Sequence, residues 1–154
     1  MGWQLAGFFA RADADVMSAA LDRWPGMRGR LIDEPFHGIG VAVPEKALTY
    51  GKSHGDQESA QELAWAVEQQ LPAWSAQYSA TIFVFLRADC WGGMCFYEGY
   101  VCRDGTILMR AQDDQEESNN GGIALRRLVA ALGVELPDPP TFAPFVRGYF
   151  NTSV

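Results

Sequence analysis

Nucleophilic catalysis needs a base within hydrogen-bond reach of the attacking group, and this chain has two histidines, His37 and His54. His37 falls in the run FHGIGVAV, where alternation reads as a strand and His37 as a half-buried strand residue. His54 sits between Ser53 and Asp56, which resembles a fragment of a triad. Three polar residues beside a helix cap carry no geometry, however, and the segment reads as loop. Cys90 lies in the tight turn DCWGG but follows Asp89, whose charge raises a thiol pKa, and neither a cation nor a helix N-terminus lowers it. Glu98 shares its strand face with Phe96 and Tyr100. It reads as a carboxylate at the sheet fringe with a tyrosine or arginine partner, or as an acid of raised pKa. Asp113, Asp114, Glu116 and Glu117 could meet a cation, but their run lacks the spacing of a calcium loop. GxGxxG and GxxxxGK[ST] are both absent. No catalytic residue, metal ligand or cofactor is therefore assigned.

These side chains must be positioned by the elements around them, and the segment from Ala80 to Ala111 is the most legible. It reads as three antiparallel strands joined by two short turns and holds all three cysteines. Residues 81 to 88 are apolar on both faces, as an interior strand requires. Asp104-Gly105 is a strong hairpin signal, pairing Arg103 with Thr106, Cys102 with Ile107 and Tyr100 with Met109. Phe96, Tyr100, Cys102, Ile107 and Met109 then form a core face and Cys102 is buried and inert. The other face carries Tyr97, Val101, Leu108, Arg103 and Arg110.

Upstream, Trp3 to Ala10 suits a strand, and Asp13 caps a helix with Val16, Met17, Ala20, Leu21 and Trp24 on one face, stopped by Pro25-Gly26. Phe36 to Val43 is a second strand. Asp56 is expected to cap the longest helix, whose stripe is Ala60, Leu63, Ala64, Val67, Leu71 and Trp74, with Pro72 kinking or ending it. Downstream, DDQEESNNGG from Asp113 reads as a solvated loop, and Leu125, Leu128, Val129 and Leu132 as a last helix ending at Gly133. A proline-rich tail follows. Its aromatics, Phe142, Phe145, Tyr149 and Phe150, pack internally or form a homodimer seam.

The order predicts an α+β fold, a mainly antiparallel sheet containing a three-strand meander, with about three helices packed against one face. A doubly wound parallel sheet is the runner-up, disfavoured by the antiparallel meander. At 154 residues and 48% hydrophobic composition, one globular domain over residues 1 to 154 is expected.

Twelve basic against nineteen acidic residues give a net charge of −7, which disfavours nucleic acid or an anionic membrane as partner and favours a basic protein. No apolar run approaches a membrane span, and the first residues lack the positive start of a secretory signal, so the expected location is cytoplasmic. Three cysteines are a poor basis for a disulfide framework. Reduced thiols are expected, although Cys90 and Cys95 flank one turn and would face each other across it.

The acidic run DDQEESNN, the aromatic turn DCWGGMCFYEG and the size of the chain resemble the immunity proteins of bacterial toxin systems. That resemblance implies a non-catalytic protein that binds and neutralises a cognate toxin with a basic face. Its contacts would come from Asp89, Trp91 and Tyr97 and from the acidic Asp113, Asp114, Glu116 and Glu117. Two alternatives stand beside it: a small-molecule binding module walled by aromatics, and a small hydrolase using Glu98 with His37 and Asp89.

Overall fold

The computed structural model describes residues 3–44, 54–91, 94–113 and 122–151. The fold is α+β. A six-stranded sheet runs in the order β2-β3-β1-β4-β5-β6, with every neighbouring pair antiparallel. The strands are β1 (Trp3–Ala10), β2 (Arg28–Ile32), β3 (Gly38–Ala42), β4 (Phe83–Trp91), β5 (Met94–Arg103) and β6 (Thr106–Gln112). The helices are α1 (Ala14–Arg23), α2 (His54–Ser75) and α3 (Ile123–Val129).

Helices do not cover one face only, as the element order suggested. Both faces of the sheet are core. Phe8, Ile39, Val41, Phe83, Phe85 and Tyr100 meet Trp24, which caps the C-terminus of α1, and the stripe Ala60, Ala64, Val67, Leu71 and Trp74 of α2. On the opposite face Leu5, Phe9, Val84, Leu86 and Val101 meet Leu125, Leu128 and Val129 of α3, together with Phe142, Phe145 and Phe150 of the tail. The tail aromatics thus serve as a covering layer, and Phe142 and Phe145 sit edge-on to Phe9. This double coverage is why β1 and β4 are apolar on both sides.

Asp13 caps α1 as expected, its carboxylate accepting the N–H groups of Asp15 and Val16. Helix α2 begins at His54, so Asp56 lies inside its first turn rather than at the cap. Nor does Pro72 end α2. The helix continues to Ser75, whose hydroxyl donates to the Pro72 carbonyl at 2.6 Å and accepts the Gly105 N–H at 3.1 Å. Ser75 is fully buried and fastens the end of α2 to the β5–β6 turn.

Strand β2, RGRLI, is not among the elements expected from the sequence. It is an edge strand. Arg28 and Arg30 turn to the tail, donating to the carbonyls of Phe150 and Tyr149, and the Arg30 guanidinium lies 4.0 Å from the Tyr149 ring centroid.

The β5–β6 turn has the positive φ angles at Asp104 and Gly105 that its sequence called for. Arg103 pairs with Thr106 and Cys102 with Ile107, but a bulge between Val101 and Cys102 then shifts the register. Tyr100 faces Arg110, not Met109, and Met109 joins the α3 side of the core. Cys102 is fully buried and free. Burial pushes its thiol up to about 11, against a lowering hydrogen bond to Ser75.

Candidate functional site

The β4–β5 hairpin presents one line of cross-strand pairs to the α2 side: Trp91 with Met94, Asp89 with Phe96, Arg87 with Glu98, and Phe85 with Tyr100. Directly opposed residues share a face, so this line is continuous. It spans roughly 20 Å from Trp91 to Phe85. Trp91 is 59% exposed and Met94 is also open to solvent, whereas Phe85 and Tyr100 are buried and stacked at 5.3 Å.

The other face of the same hairpin carries the Cys90–Cys95 disulfide, which corrects the expectation of reduced thiols. The two cysteines are directly opposed, with Cα atoms 4.0 Å apart. Proximity of this kind is decided by strand register. The bridge ties the two strands together beside Trp91.

Beyond the apolar stripe of α2, the sheet face opens into a groove of about 230 Å³ lined by Glu68, Phe85, Glu98, Gly99, Tyr100, Arg110, Ala111 and Gln112. Its geometry rests on three interactions. Arg87 Nη2 lies 3.2 Å from Glu68 Oε1, Arg87 Nε lies 4.0 Å from Glu98 Oε1, and the Tyr100 hydroxyl donates to the Glu68 carbonyl at 2.6 Å. The bulge brings Arg110 over the Tyr100 ring at 5.6 Å from its centroid. Burial, with smaller contributions from Cys102 and Glu68, holds the Tyr100 hydroxyl well above its ordinary range, so it remains a hydrogen-bond donor. Arg87 Nε and Asp89 Oδ1 are buried without a hydrogen-bond partner.

Glu98 is thus a fringe carboxylate with an arginine partner, its side chain 49% exposed. His37 and Asp89 do not join it. His37 precedes β3 in a bend, with an 83% exposed side chain 3.7 Å from Asp33. Register puts the start of β3 beside Ala10 and Phe83, while Asp89 lies opposite Gln4 at the other end of β4. Among the described residues there is no group of three metal-binding side chains, and no helix is long and apolar enough to cross a membrane.

No protein-family model, curated protein or solved structure matches the chain. The geometry alone distributes the expected contact residues. Asp89 and Trp91 come together on the α2 side. Tyr97 points to the other face, half-buried 6.4 Å from the Phe145 ring, and burial followed by the nearby Asp113 raises its hydroxyl pKa. Asp113 is held by the scaffold. Its Oδ2 accepts the Tyr97 N–H and its Oδ1 the Ala124 N–H, both at 3.0 Å, so it joins the first half of β5 to the first turn of α3. It is therefore not part of a free solvated run. Asp114, Glu116 and Glu117 lie outside the described residues. The residue that sequence reasoning missed is Trp65, 62% exposed on α2. Its signal was available, since it falls off the stripe 60, 64, 67, 71 and 74 that fills the core.

Proposed function

We propose that this protein acts by binding a protein partner through the α2 side of the β4–β5 hairpin, and that the partner is a toxin it neutralises, as an immunity protein does. One observation carries the reading: Trp91, exposed on a hairpin braced by a disulfide, stands beside Asp89, Met94 and Phe96 on one rigid face. Interface hot spots are enriched in tryptophan, and a rigid platform lowers the ordering cost of association. The net charge of −7 favours a basic partner. The disulfide favours a site of action in an oxidising compartment.

The test is a capture experiment with wild type and Trp91→Ala, followed by mixing the purified protein with whatever it retains. The reading requires a stoichiometric partner lost with Trp91→Ala, at a cost of about 2 kcal/mol or more. It also requires that one equivalent of wild type abolish the partner's toxicity. A partner retained equally by the variant, or left fully active in the complex, sinks it. The groove beside Glu98 favours a second reading, a small polar ligand, and a compound released on denaturing the purified protein would support that instead.

A further inference from the structure

From Glu58 to Ser75, helix α2 carries three carboxylates, Glu58, Glu62 and Glu68, and no lysine or arginine. Trp65 lies three residues from both Glu62 and Glu68, the spacing at which helical side chains are neighbours. Its exposed ring meets neither another aromatic ring nor a cation among the described residues. Gln61, one turn earlier, reaches Gln4 of β1 at 3.4 Å, and Glu68, one turn later, reaches Arg87 of β4. Gln4 is paired with Asp89. This flank of α2 therefore runs above the strip of β4 that leads to Trp91.

The surface so formed holds two exposed indoles and the carboxylates of Glu62, Glu68, Asp89 and Glu98. Arg87 lies among them but is already engaged by Glu68 and Glu98, and Arg110 stands at the far end of the groove over Tyr100. An apolar partner would desolvate Glu62 and Asp89, which Arg87 does not engage, without compensation, and an anionic one would be repelled by the surplus of carboxylates. A cation meets both the carboxylates and the tryptophan face. Arginine suits it better than lysine, because a guanidinium is planar, stacks on rings and sheds water more readily.

We propose that this surface receives an arginine-bearing segment of the partner, with a guanidinium lying on the Trp65 ring between Glu62 and Glu68. The inference rests on the protein-binding reading and makes Trp65 the second anchor beside Trp91. It is tested without the partner, by titrating the isotope-labelled protein at physiological salt with a blocked tri-arginine peptide and with its uncharged tri-citrulline counterpart. The Trp65 indole N–H signal shifts saturably with tri-arginine and stays in place with tri-citrulline. Trp65→Ala, a surface change that leaves folding intact, weakens tri-arginine binding about two- to fivefold. Equal shifts with both peptides, or wild-type affinity in Trp65→Ala, would overturn the inference and leave only diffuse attraction to net charge. The two ideas fail separately: loss of the partner with Trp91→Ala but no effect of Trp65→Ala on tri-arginine retains the binding reading and removes this one.

Discussion

Reduction of the Cys90–Cys95 bridge is expected to destabilise the fold by about 2 kcal/mol. The bridged residues are separated by five positions. For a loop that short, the chain-entropy relation gives about 7 cal/mol/K, or about 2 kcal/mol at 25 °C. Native contacts change little, because Cys90 stays packed among Trp3, Leu5 and Ala88 and the strands keep their register. The assay is urea unfolding with and without a phosphine reductant, where 2 kcal/mol lowers the midpoint by about 1 M at an ordinary urea slope. Thiol labelling fixes the state of each sample. Labelled after denaturation, the oxidised protein shows one thiol, that of Cys102, and the reduced protein shows three. An unchanged midpoint in a sample shown by labelling to be reduced would refute the reasoning. It would mean that the turn constrains the unfolded chain as much as the bridge does.

Two further outcomes concern the scaffold. Asp113→Ala strands the N–H groups of Tyr97 and Ala124 and should cost about 1–3 kcal/mol in the same urea assay; an unchanged midpoint would return Asp113 to the role of a rim carboxylate. Stability should also fall as pH rises from about 9 to about 11. The folded state raises the Cys102 thiol from its ordinary value of 9.0 to about 11, so its contribution is complete below the unfolded pKa and gone above the folded one. Tyr100, raised by burial, acts in the same direction. If Cys102→Ala leaves this alkaline loss intact, the thiol is not its source.

Much of the architecture was legible because its causes are local. Asp13 capped α1, Trp3 to Ala10 formed a strand with the expected ends, and Asp104-Gly105 closed the last hairpin. Cap hydrogen bonds, alternation and positive φ depend on residues a few positions apart. The identity of the buried thiol followed from the same alternation. Strand β2 was missed because an edge strand is short and polar, and its arginines make sense only against the tail's carbonyls.

What the sequence by itself determined was therefore the class of fold, the antiparallel meander and the stripe of α2 that enters the core. The tertiary structure decided which faces those elements share. The bulge at Val101 and Cys102 moved Arg110 beside Tyr100, strand register brought Cys90 and Cys95 together, and the tail covered the face that would otherwise have shown Tyr97 to solvent. Each of these depends on a contact between distant segments. A period of two specifies alternate faces but not what covers them, and one slipped residue exchanges the faces. For the same reason Trp65 and Trp91, twenty-six positions apart, read as unrelated tryptophans until α2 is laid across β4.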